Sequence, residues 1–252
     1  MNYEIKSNFS EFEAVLKDYI QNFDTKGDDY GNQKRNSLKL FKLNELTINV
    51  KSFRIPNVVN QVVYKYFRKS KAERSYIYAN KLLELQIGTP KPIAYFELPS
   101  PFLFKKSYYV SEQLDCDLTY RELSRDLNYP DHEVILRAFT RFTYKLHQNN
   151  INFLDHSPGN TLIKKVGEEY QFYLVDLNRM EFKPMPLETR IKNFARLTVQ
   201  KSMVKTMSDE YAKISNEDFD TIYKLMWKET EDFQNSHNRR RDLKKKLKFW
   251  KK

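Results

Sequence analysis

Four residues separate Asp155 from Asn160, and Asp176 follows at the end of the next apolar strand. This spacing constrains the chain more than any other feature. Residues 131–149, DHEVILRAFTRFTYKLHQN, have apolar side chains at helical intervals and predict one long amphipathic helix. Residues 151–163, INFLDHSPGNTLI, are broken by Pro158 and Gly159 and predict an irregular loop that holds Asp155 and Asn160. Residues 161–166 and 170–175 read as a hairpin about Gly167, and Asp176 comes directly after it. A tight loop can aim a carboxylate and a carboxamide at one point, and a hairpin can return a second carboxylate to face them. Asn160 and Asp176 are oxygen donors that suit Mg²⁺, a hard cation usually held by few protein ligands plus phosphates. Asp155 is then left to orient a hydroxyl nucleophile.

The first half of the chain has a different character. Residues 10–20 predict a short helix capped by Ser10, with Glu13 at the capping-box position. A polar, turn-rich stretch with Gly27 and Gly31 follows. Residues 37–43 and 46–53 alternate apolar and polar and predict a hairpin turning at Asn44 and Glu45, which Pro56 then ends. Residues 69–87 predict a helix stopped by Gly88, Thr89 and Pro90. Residues 92–97 and 107–114 predict two more strands, and residues 187–234 read as mainly helical. Strands with one main helix, then a mostly helical half, predict an α+β fold whose parts meet near residues 111–117.

The net charge of +11 is unevenly placed. Residues 239–252 hold nine Lys/Arg and one Asp, a net +8, which leaves +3 for the other 238 residues. A basic tail implies an anionic partner. Leu243, Leu247 and Trp250 recur there at helical spacing, so a helix would present an apolar edge among lysines. The bland reading is a solvated charged end. No stretch approaches the roughly 20 apolar residues that span a bilayer. The first twenty residues carry acids and no continuous apolar core, so no signal peptide and a cytoplasmic protein are expected. The single cysteine, Cys116, rules out an intrachain disulfide. No His/Cys cluster has zinc-ligand spacing.

The Asp155/Asn160/Asp176 pattern resembles the protein-kinase catalytic loop and its metal-binding aspartate. Further segments, VKSFRIPN, FRKSKAERSYIYA, GTPKPIAYFE, LDHSPGNTLI and LVDLNRMEF, are similar to the bacterial lipopolysaccharide kinase family, over residues 45–200. That resemblance implies a protein-kinase-like two-lobe fold. Its N-lobe, residues 1–114, would be an antiparallel sheet with one main helix. Its helical C-lobe would span residues 115–238, before a basic tail, 239–252. It implies ATP and Mg²⁺ as cofactors, with Asp155 catalytic and Asn160 and Asp176 holding the metal. Lys51 matches the strand lysine that contacts ATP phosphates, and Glu112, Gln113 and Leu114 match the adenine-binding hinge. It implies a sugar hydroxyl of Kdo or heptose as acceptor, on a lipid-linked precursor. An enzyme peripheral on the inner membrane, held by residues 239–252, would follow, with no specific nucleic-acid partner.

Departures from the family pattern are plain. Phe153 replaces the usual His two residues before Asp155, and Asp176-Leu177-Asn178 replaces Asp-Phe-Gly. The glycine loop is poor. Ser75 stands where the helix glutamate that pairs Lys51 is expected, which leaves Glu73 as the nearest acid and Glu84 as a more distant one. Two alternatives share these residues: a protein Ser/Thr kinase, and a catalytically silent pseudokinase that binds membrane or nucleic acid. His156 is read either as a substrate contact or as an ordinary loop histidine, and His147 as a packing residue.

Overall fold

The computed structural model describes residues 1–31, 33, 36–98, 100 and 103–249, without the side chains of Lys65 and residues 247–249. The chain divides into two units, residues 1–115 with 174–179, and residues 116–173 with 180–252.

The first unit contains β1 (Asn2–Ile5), α1 (Glu13–Gln21), β2 (Asp28–Tyr30), β3 (Ser37–Leu43), β4 (Leu46–Phe53), α2 (Val58–Tyr66), α3 (Lys71–Glu84), β5 (Pro92–Leu98) and β6 (Lys106–Glu112). The strands form one antiparallel sheet in the order β1-β5-β6-β4-β3-β2. Alternation decides its two faces. Val50 pairs with Val110, which pairs with Ala94, and all three are fully buried. With Ile48, Phe41 and Phe96 they pack against Leu16, Ile20 and Phe23 at and beyond the end of α1. Lys51 pairs with Tyr109, which pairs with Tyr95, so these three share the opposite face. There Tyr76 of α3 meets Tyr95 at 5.5 Å between ring centres. A one-residue slip of β4 would bury Lys51 and expose Val50, so the apolar period itself sets the register.

The expected turn at Asn44 and Glu45 is present, with Asn44 at φ 52°, a left-handed conformation that asparagine tolerates. Ser70 caps α3 by accepting from the Glu73 N–H at 3.1 Å. The helix closes through Gln86 N–H to the Leu83 carbonyl at 3.0 Å and Ile87 N–H to the Leu82 carbonyl at 2.8 Å. Gln86 takes the left-handed position usually given to glycine, and buried Ile87 seals the end.

Two expectations fail locally. Ser10 does not cap a helix. It lies in a 3-10 turn over Ser7–Phe12, donates to the Ser7 carbonyl at 2.8 Å, and α1 begins only at Glu13. The hydroxyl closes its own turn in place of the helix N-terminus. α2 lies beyond Pro56, a stretch that no predicted element covers, and is capped by Asn57, which accepts from Asn60 N–H at 3.0 Å.

The second unit contains β7 (Leu118–Thr119), α4 (Tyr120–Arg125), α5 (His132–Gln148), β8 (Ile151–Phe153), β9 (Thr161–Val166), β10 (Glu169–Leu174, whose last residue belongs to the first unit), β11 (Met180–Phe182), α6 (Leu187–Lys192), α7 (Lys201–Ser215) and α8 (Phe219–Phe249). Its core is α5, whose Ile135, Leu136 and Phe139 are buried in one cluster with Phe194, Met207 and Tyr211. Thr140 and Thr143 are also buried on α5 and return their hydroxyls to the carbonyls of Leu136 and Phe139. The loop after α5 is more regular than predicted. Residues 151–153 form β8, paired antiparallel with β11, because Ile151 and Phe153 are both fully buried. The helix α8 continues through residue 249, and its residues 235–246 are exposed on every side. Trp250 lies outside the described residues.

Candidate active site

In the first unit, Lys51 Nζ donates to Asp176 Oδ1 at 2.7 Å. The lysine lies over Phe53, with Nζ 5.2 Å from the ring centre. Asp176 is brought there by its own backbone. Leu174 N–H donates to the Gly88 carbonyl at 2.8 Å, and Thr89 Oγ1 donates to the Leu174 carbonyl at 2.8 Å. The residues that stop α3 therefore also anchor the segment that carries Asp176. Asp176 itself has φ 60°, a left-handed conformation that aspartate adopts more readily than most residues. Asn178 Nδ2 donates to the same Oδ1 at 2.7 Å. Among the described residues no hydrogen bond reaches Oδ2.

Glu73 is not brought to Lys51. It pairs with Lys69 at 2.8 Å, one turn back on the same helix end. Ser75 is buried and donates to the Lys71 carbonyl at 2.8 Å, and Glu84 is exposed. No α3 acid is bonded to Lys51 among the described residues, and Asp176 takes that place.

The hinge residues are held by edges of the sheet. Glu112 N–H donates to the Lys91 carbonyl and Gln113 N–H to the Thr47 carbonyl, both at 2.9 Å. The Gln113 side chain accepts from Asn49 Nδ2 at 2.9 Å and donates to the Leu114 carbonyl at 3.3 Å. The Leu114 N–H donates to none of the described residues. Leu38 and Leu40, half-buried on the Lys51 face, supply apolar surface on β3.

In the second unit, Asn160 Nδ2 donates to the Asp155 carbonyl at 2.8 Å. This bond holds the carboxamide by its nitrogen. The Asp155 carboxylate meets Arg196 Nη1 at 3.1 Å, and the Arg196 guanidinium lies 5.2 Å from the ring centre of Phe233 on α8. The guanidinium of Arg121 lies against Gly159, where a Cβ would fall. Both arginines escaped the sequence reading, because each lies far in sequence from the loop it flanks.

Asn193 latches the loop from below. Its Nδ2 donates to Asn152 Oδ1 at 3.0 Å and to the Phe153 carbonyl at 3.1 Å, and its Oδ1 pairs with His156 Nδ1 at 3.2 Å. His156 is 1% exposed and packs between Phe139 and Phe153, so it is a core histidine and faces no substrate. His147 is equally buried and bonded to Tyr211 Oη at 3.0 Å. Burial holds His156 down at about 4 and His147 down at about 3, so both are neutral in the fold. The unfolded chain takes up protons at these sites below about pH 6.5 and the folded one does not, so stability is full above that pH and is lost as pH falls towards 4. Each histidine should cost about 2 kcal/mol by pH 5. Urea unfolding at pH 7 and pH 5 measures this, and His156→Phe should flatten the pH slope. An unchanged slope would show that His156 does not titrate on unfolding.

The oxygen donors fit a hard divalent cation better than a softer metal. Within the second unit the carboxamide oxygen of Asn160 accepts from no described residue, and within the first unit the same holds for Oδ2 of Asp176. No cluster of three His, Cys, Asp or Glu side chains among the described residues is arranged to hold a metal ion.

A strand lysine joined to an aspartate, together with an Asp-x₄-Asn loop under a buried helix, defines a protein-kinase-like fold. A solved structure of WaaP in complex with acyl carrier protein has this fold, with TM-score 0.62 and 16% identity over 92% of this chain and 99% of that one. The lipopolysaccharide kinase (Kdo/WaaP) family model matches residues 50–224, and the chain belongs to that family of kinases. No curated protein gives a significant match.

Proposed function

We propose that the protein transfers the terminal phosphoryl group of ATP to a hydroxyl of Kdo or heptose in the lipopolysaccharide inner core. The observation that supports this reading best is the 2.7 Å pair between Lys51 and Asp176, in which the lysine would bind phosphate and the carboxylate would hold the metal. In this reading Lys51 contacts the α- and β-phosphates. Leu114 N–H receives the adenine edge, with Glu112 and Gln113 holding the hinge. Glu73 stays with Lys69. Asn160 and Asp176 would hold Mg²⁺, which would supply neutralisation of phosphate charge. Asp155 aims the acceptor hydroxyl and takes its proton as the new P–O bond forms and the bond to the ADP oxygen breaks. Arg196 fixes the direction of Asp155. Arg121 adds positive charge beside the loop, suited to an anionic sugar.

No helix among the described residues is long and apolar enough to cross a membrane. A peripheral position at the inner leaflet fits a lipid-linked acceptor, and the exposed basic end of α8 with residues 250–252 is the proposed contact with anionic lipid. The missing acid on α3 is the observation that favours a silent scaffold. Lys51 is nonetheless held, by Asp176, which favours an active enzyme. Labelled ATP and Mg²⁺ with either a lipopolysaccharide precursor or a protein mixture separates the readings. Label in the sugar is expected. Label in protein alone would make it a Ser/Thr kinase, and no label with no Mg²⁺-dependent thermal shift by ATP would make it a scaffold.

A further inference from the structure

The helix α2 is built inside out. Its inward side carries Gln61, 8% exposed and donating to the Pro56 carbonyl at 2.9 Å, and Tyr64, whose ring lies 5.9 Å from that of Phe104 and beneath the guanidinium of Arg74. Its outward side carries valines. Val58 is 63% exposed, Val59 73%, and Phe67 just past the helix end 82%. Val62 and Tyr66 continue the stripe at i+4 and i+8 from Val58, and Ile55 precedes it, all exposed. A surface helix in water normally shows the reverse pattern. A contiguous apolar surface of this kind marks a contact site.

Charge says what kind. Arg54, Arg68, Lys69 and Lys71 border the stripe, and no acid occurs between residues 54 and 72. Lys69 is paired with Glu73, while Arg54 and Arg68 are exposed. An apolar face rimmed by cations matches an anionic lipid surface, into which valine and phenylalanine insert while arginine and lysine stay at the head groups. Two copies of the same cationic face would repel one another, which disfavours a symmetric dimer through it.

We infer that α2, with Ile55 and Phe67 at its ends, is a bilayer-docking surface that inserts its valine face into anionic lipid. The choice of a membrane rests in part on the lipid-linked acceptor proposed above. This surface is distinct from the α8 end, where Leu243 is the one exposed large apolar side chain among the described side chains of residues 235–246.

The test uses the full chain and phosphatidylcholine vesicles with and without phosphatidylglycerol. Wild type should sediment with the anionic vesicles. Val59→Ser with Phe67→Ser should weaken that partition about tenfold, since the withdrawn apolar area drove it. Both positions are highly exposed, so the melting temperature should not move, and a water-soluble core sugar should be phosphorylated at the wild-type rate. Val59→Trp should give a blue-shifted emission only with anionic vesicles. Unchanged partition in the Ser variant, or no blue shift, would overturn the inference. So would a dimer in sedimentation velocity that the Ser variant abolishes. Lipid-dependent insertion without sugar phosphorylation would support α2 docking while refuting the acceptor. Sugar phosphorylation with α2-independent binding would refute the docking alone.

Discussion

Asp176→Asn should lower turnover by about 10³-fold or more, because an amide cannot supply the charge that a metal–phosphate site requires. Asparagine is the informative choice. The residue sits at φ 60°, which asparagine tolerates, whereas alanine would add roughly 1 kcal/mol of backbone strain. Asparagine also keeps an oxygen for Lys51 and Asn178, so the fold around Leu174 and Gly88 should survive. The measurements are turnover with labelled ATP and the Mg²⁺-dependent thermal shift caused by ATP. Turnover near the wild-type rate would remove Asp176 from the metal site. Loss of the thermal shift together with loss of turnover would tie both to the same carboxylate.

Asp155→Asn should lower kcat by about 10²- to 10⁴-fold, the range for losing a general base, with little change in KM for ATP. The amide keeps the shape of the side chain, so the Asn160 bond to the residue 155 carbonyl is unaffected. Arg196 sharpens this test. It touches Asp155 at 3.1 Å, and its role in this scheme is to aim the carboxylate. Arg196→Met should therefore cost kcat by itself but add little in the Asp155→Asn background, since residues acting as a unit do not combine additively. Full additivity would show that Arg196 acts on substrate independently. An Asp155→Asn enzyme within twofold of wild type would remove the residue from catalysis.

Local pattern carried much of this architecture. The alternation in residues 37–43 and 46–53 matches β3 and β4 residue for residue, and the periodic stretch 131–149 matches α5 to within one position at each end. These segments are legible because a buried face repeats at a fixed interval along the chain itself. α2 was missed for the opposite reason. Its apolar residues face outward and its glutamine faces inward, so its pattern does not report a soluble helix packed on a core. β8 was missed because three residues are too few to show a period, and its pairing with β11 lies about 30 residues away in the chain.

The identities of Asp155, Asn160, Asp176 and Lys51, and their order along the chain, were determined by the sequence alone, because short motifs on one loop or one strand are local. Their partners were decided by tertiary structure. Asp176, in place of Glu73, joins Lys51 because the segment after β10 is tied to Gly88 and Thr89 at the end of α3. Arg196 and Asn193 reach the loop that carries Asp155 because α6 and the residues after it pack on the core of α5. Such pairings depend on where chain segments return in space, and no periodicity along the chain encodes that distance.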